Sequence, residues 1–165
     1  MIFGMTILTL VHVLLSLVGI LAGLVVMFGL LSAKQIHGWT AVFIWTTVAT
    51  SVTGFLFPFH KFLPSHAIGI LSLSVLTVAI YALYGKHLSG AWRTAYAVNA
   101  MLALYFNVFV LIAQLFMKVP ALKALAPTQT EAPFKEAQLA TLLAFVVLTI
   151  LAAIKFRGEP LKSAV

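Results

Sequence analysis

The chain has 165 residues, of which 63% are hydrophobic and 8% charged, and its mean hydropathy is +1.15. Soluble domains carry roughly a quarter charged residues, so this composition excludes a free-standing cytosolic enzyme, a nucleic-acid module and a disordered regulator. The formal net charge is +7, from ten Lys and Arg against three acidic residues, a surplus that an inner-membrane protein leaves on its cytoplasmic rim.

Cysteine is absent, which removes disulfides, thiolate metal sites and thiol redox chemistry. The only carboxylates are Glu131, Glu136 and Glu159, so hydrolysis by two buried acids is not expected. Any metal or cofactor would use histidine, methionine or amide ligands, and no enzymatic activity is assigned.

Charged residues punctuate the sequence. Runs free of Lys, Arg, Asp and Glu cover 1–33, 35–60, 62–85, 94–117 and 137–154, and each reaches the length of about 18 residues or more expected of a membrane-crossing helix. The reading is an all-α bundle of five transmembrane helices in one domain, with spans near 5–31, 38–58, 66–85, 94–117 and 135–155; four spans plus a surface helix is the alternative, since the last run is the shortest. The first span lacks a positive n-region and a cleavage site before Lys34, so it is expected to be a helix of the mature protein and not a signal peptide.

Five crossings place Lys34, Lys86, Arg93, Lys155, Arg157 and Lys162 on one face and Lys61, Lys118, Lys123 and Lys135 on the other. The first face is then cytoplasmic, with the N-terminus outside and the C-terminus inside. The 118–134 stretch contains Pro120, Pro127 and Pro133 and is too polar to span. Its Ala121–Ala126 portion reads as a short surface helix, and the Thr128–Glu131 spacing fits a capping box.

Helices in lipid associate through small residues and side-chain hydrogen bonds, because apolar surface alone gives no preference for protein over lipid. The inward faces are therefore expected at His12, Ser16, Gly19 and Gly23 in the first helix, with Gly19 and Gly23 as a small-xxx-small pair. The second helix offers Thr40, Thr47, Thr50, Ser51 and Gly54. The third offers His66, Ser74, Thr77 and Tyr81; the fourth Tyr96, Ala100, Ala103, Asn107 and Gln114; the fifth Gln138 and Thr141. The bland reading of these stripes is structural glue.

Ionisable side chains inside a membrane are functional candidates by default. His12 lies about 10 Å inside the first helix at 1.5 Å per residue. His66 follows Ser65, which reads as the N-cap of the third helix, and His60 sits in the turn between Pro58 and Pro64. With Gln114 and Gln138 they form an outer constellation. It could clamp a haem b between His12 and His66, with His60, Gln114 and Asn107 nearby. It could hold copper with Met5 or Met117 as a soft ligand, or serve a quinone or proton route through Asn107 or Gln114. The structural alternative makes His12 a packing residue and needs no cofactor. His37 and His87, at the cytoplasmic boundary, form a second and weaker candidate metal site.

The strings GFLFPFHKFLPSHAIGILSLSV (54–75), LSGAWRTAY (88–96) and LYFNVFVLIAQLFMKVPALKALAPTQTEAPF (104–134) resemble a family of small inner-membrane proteins of proteobacteria with FPFH…PSH and APTQ…PF signatures. Ala132 stands where that pattern has a proline. The resemblance implies a bacterial inner membrane but no activity, substrate or cofactor. Three functions are therefore carried forward: a haem-binding redox component, a cofactor-free accessory subunit of a larger membrane complex or homo-oligomer, and a small transporter or quinone-binding protein. The expected partners are the lipid bilayer and other membrane subunits, with no nucleic acid.

Overall fold

The computed structural model describes residues 6–57, 64–158 and 162–163. Its elements are α1 (Ile7–Leu31), β1 (Lys34–Gln35), α2 (His37–Gly54), α3 (Pro64–Ile80), α4 (Trp92–Lys118), α5 (Pro120–Leu125), α6 (Ala132–Gly158) and β2 (Lys162–Ser163). A π-helical turn, Tyr81–Gly85, closes α3. The two-residue strands pair in parallel, Lys34 with Lys162 and Gln35 with Ser163.

Four segments, Ile7–Leu31, His66–Gly85, Trp92–Lys118 and Ala132–Arg157, are long and apolar enough to cross a membrane. Such a set is the mark of an integral membrane protein. The expected second span, α2, is not among them. It is as long as a minimal span, but its threonines, indoles and His37 lower its hydropathy. The apolar exterior is fullest on α1 and α6, where Leu21, Phe28, Leu143, Val147 and Ile154 are all exposed, and continues over Trp45 of α2 and Ile70 and Leu71 of α3.

The long helices alternate in direction. α4 packs against α1, α3 and α6, and α2 lies between α1 and α3. One end of the bundle is basic, with Lys34, Lys86, Arg93, Lys155 and Arg157. The other carries α5 and the connection to α6, with Lys118, Lys123, Glu131, Lys135 and Glu136. Below they are the basic end and the loop end.

The small-xxx-small pair of α1 is the tightest junction. A Cβ on Gly23 would lie 2.6 Å from the Leu104 side chain of α4 and 2.9 Å from the Phe43 ring of α2. One turn earlier, a Cβ on Gly19 would lie 3.1 Å from Thr46 Oγ1, 3.2 Å from Thr47 Oγ1 and 3.6 Å from Asn107 Nδ2. Three helices meet where α1 has no side chains. Asn107 donates from Nδ2 to Thr47 Oγ1 at 3.2 Å, joining α4 to α2, and Ser51 donates to Ser72 at 3.1 Å, joining α2 to α3.

The α2 stripe faces inward as expected: Thr40, Thr47, Thr50 and Ser51 are all buried. The α3 stripe does not. Ser74, Thr77 and Tyr81 are exposed, and the buried positions are His66, Ser72, Leu76 and Ala79. The physical reason is local. Ser74 donates to the Ile70 carbonyl and Thr77 to the Leu73 carbonyl, so both hydroxyls are satisfied within their own helix and can face outward.

Other local expectations shift in the same way. α3 runs over Pro64–Ile80, and the capping role expected of Ser65 rests on a side chain outside the described residues. The short surface helix forms as Pro120–Leu125. Thr128 and Glu131 do bond to one another, Oγ1 to Oε1 at 2.8 Å, but Glu131 also accepts from the backbone N–H groups of Thr128 and Thr130. The result is a closed turn before α6 in place of a capping box. The Thr128 hydroxyl holds the Glu131 carboxyl below its usual range.

Replacing Gly23 with leucine is expected to destabilise the bundle by about 1–3 kcal/mol through overpacking. Gly38, with nothing within 4 Å of its Cβ position, should accept alanine with no measurable loss. Thermal unfolding of both variants in detergent checks the contrast.

Candidate functional site

The loop-end residues are directed to separate partners. His12 Nδ1 lies 3.0 Å from Thr53 Oγ1, and the ring meets the edge of Phe57 at 5.2 Å between centroids. Thr53 in turn donates to the Ala49 carbonyl at 2.7 Å. With the hydroxyl proton directed to its own helix, the contact suits the His12 tautomer that carries its proton on Nδ1. His66 is 5% exposed and stacks on Phe55 at 5.9 Å, with 28° between ring planes. His60 and Met5 lie outside the described residues.

The amides of this half divide likewise. Asn107 is consumed by Thr47. Gln114 is exposed and makes no part of an inward face, a correction to the expected α4 stripe. Gln138 is buried, donating to the Phe109 carbonyl at 3.1 Å while its Oε1 has no partner. Gln129, which sequence reasoning passed over, donates to the Ala113 carbonyl at 2.7 Å and ties the loop to α4. Its positive φ of 59° follows Pro127-Thr128, the one sequence hint of a tight turn. Among the described residues, no group of three or more His, Asp and Glu is placed to hold a metal ion.

At the basic end the structure brings His37 and His87 together. They border one cleft of about 370 Å³, with Gln35, Thr40 and Tyr84 as further polar neighbours and Leu83 and Leu88 as apolar ones. Thr40 is 3% exposed, whereas both imidazoles are exposed. A narrow crevice too small for a water molecule shares Gln35 and Thr40 with the cleft and is also lined by Lys34 and Tyr96. The Tyr96 phenol is 1% exposed. Its hydroxyl lies near Thr40 but meets no partner in hydrogen-bond geometry.

The backbone here is unusual in three linked ways. The π-helical turn 81–85 inserts an extra residue into the last turn of α3, a feature found most often at functional positions. Lys86 N–H returns to the Tyr81 carbonyl at 2.9 Å and Leu88 N–H to the Ala82 carbonyl at 3.0 Å. His87 and Leu88 then take left-handed φ values of 48° and 56°, where glycine is the usual residue. Leu88, 4% exposed, anchors this turn in the core and presents His87 at the cleft. The Lys86 ammonium sits 5.5 Å from the Tyr81 ring and 5.9 Å from the Trp92 ring, and these rings meet edge-on at 5.1 Å.

Comparison of the chain with known protein families, characterised proteins and solved structures finds no match. The site therefore has to be read from its own chemistry.

The His12–Thr53 contact joins α1 to α2. A double-mutant cycle with His12→Ala and Thr53→Val is expected to give a coupling of about 0.5–2 kcal/mol; thermal or denaturant unfolding measures it, and a coupling of zero would mean that the contact stabilises nothing.

Proposed function

We propose that the protein is a five-crossing helical bundle of the bacterial inner membrane that acts as a non-enzymatic binding protein. Its N-terminus lies outside, and the basic end with its cleft faces the cytoplasm. The basic surplus of that end supports this orientation, and the alternating directions of the helices support the number of crossings. The fifth crossing would be α2, whose polar side chains are covered by α1, α3 and α4.

The observation that carries the binding role is the pair of imidazoles at one cleft, one of them, His87, delivered by a strained turn. A non-glycine residue in the left-handed region costs on the order of 1–2 kcal/mol, and strain of this kind persists where a site needs the side chain. Glycine at position 87 would relieve the backbone, yet only histidine supplies a ring that both donates and accepts a hydrogen bond.

A second reading, a haem b or copper site in the loop half, is favoured by the His12 ring. Its Nδ1 is engaged by Thr53, and in the tautomer protonated there Nε2 would be the ligating atom, the arrangement by which a protein orients a ligating imidazole. A Soret band in the purified protein that vanishes in His12→Ala would favour this reading. The accessory-subunit alternative draws on the same hydrogen bond as plain glue.

Native mass spectrometry of the protein, extracted from its own membrane in mild detergent, tests the cleft reading. The expected result is a bound small molecule that is lost from His87→Gly, while that variant gains about 1 kcal/mol of stability from the relieved turn. Wild-type protein without any adduct, no less stable than the glycine variant, would contradict the proposal.

A further inference from the structure

We infer that the cleft between His37 and His87 receives a phosphate group, carried by a lipid headgroup or free in solution. The inference rests on the cleft being a binding site and adds the class of ligand. The first argument is charge. The basic end gathers Lys34, Lys86, Arg93, Lys155 and Arg157, while Glu131 and Glu136 stand at the loop end and the sequence has no aspartate. With Glu159 outside the described residues, no carboxylate is described at this end. Among the described residues a cation would meet only the two imidazoles as ligands within a positive field; an anion enters with the field.

The second argument is the donor set. The imidazoles, the Gln35 amide, the Thr40 hydroxyl and the Tyr84 phenol can all donate hydrogen bonds to phosphate oxygens. α2 starts at the cleft, so the positive end of its dipole adds to the attraction.

The third argument is depth. Trp39 and Tyr84 are about half exposed, and with Trp92 they ring this end as aromatic side chains do at the level of lipid headgroups. Leu83 and Leu88 give the cleft an apolar wall against which a glycerol or acyl carbon can rest. Its volume of about 370 Å³ holds on the order of a dozen waters at 30 Å³ each, room for a phosphate with its glycerol. Lipid presents this chemistry at this depth, and a soluble phosphate shares it.

The test uses the detergent-purified full-length protein and its thermal midpoint. The additions are phosphatidylglycerol, phosphatidylcholine at equal concentration, inorganic phosphate and zinc chloride. Phosphatidylglycerol is expected to raise the midpoint by about 3–6 °C when it exceeds its dissociation constant tenfold or more, and phosphatidylcholine to do markedly less. The shift should disappear in the double variant His37→Ala, His87→Gly, in which glycine suits the left-handed turn and the fold is kept, and remain in His12→Ala. An equal shift with inorganic phosphate assigns the site to a free anion.

A lipid shift retained by the double variant, or no shift with either phosphate source, overturns the assignment. A zinc-induced shift without an anion response, abolished in the double variant, overturns it as well but leaves the cleft reading standing. That reading fails separately, on the adduct measurement described above.

Discussion

The architecture depends on the place where α1 gives up its side chains. At Gly19 and Gly23 the backbone of α1 is approached by Phe43 and Thr47 of α2 and by Leu104 and Asn107 of α4. In lipid, contacts of this kind must supply what the hydrophobic effect supplies in water, because hydrocarbon surrounds the helices whether or not they associate. The junction also fixes the rotation of α2. Thr47 is seven residues from Thr40, two turns and about 10 Å along the same face. Holding Thr47 against Asn107 therefore aims Thr40 into the core beside the basic-end cleft, and the same rotation sends Ser51 to Ser72 of α3.

This makes α2 a polar spine rather than an ordinary span. Its hydroxyls reach helices on several sides, and its first turn borders the cleft. At the loop end most polar groups are committed, His12 to Thr53, Asn107 to Thr47 and Gln129 to a carbonyl of α4, with Gln138 Oε1 the exception. At the basic end they are less so. Tyr96 is buried without a bonded partner, two imidazoles are exposed, and the turn that delivers one of them is strained. A membrane protein keeps such a region only where water or a ligand can reach it.

Much of the bundle could be read from the sequence, because charges interrupt a strongly apolar chain and mark where helices end. The Gly19–Gly23 face was legible for the same reason that it works: small residues at a spacing of four allow close approach. The inward face of α3 was not, since Ser74 and Thr77 bond carbonyls of their own helix and carry no information about burial. The site was harder still. His12 and His66 attract attention by their depth or their helix end, whereas His37 and His87, fifty residues apart, meet only through the fold. The π-helical turn and left-handed residues that deliver His87 have no sequence signature, and the sequence pairs it with His37 only by placing both at the same boundary of the expected spans.

The central claim is that the imidazoles of the basic end are open to solvent while His12 in the loop half is held against Thr53 and Phe57. The cysteine-free sequence allows a direct measurement: single replacements His12→Cys, His37→Cys and His87→Cys, each reacted with a water-soluble maleimide in detergent-purified protein. The account predicts fast labelling at positions 37 and 87 and at least tenfold slower labelling at 12. Position 12 reacting as fast as the other two, or slow labelling at both 37 and 87, would contradict it.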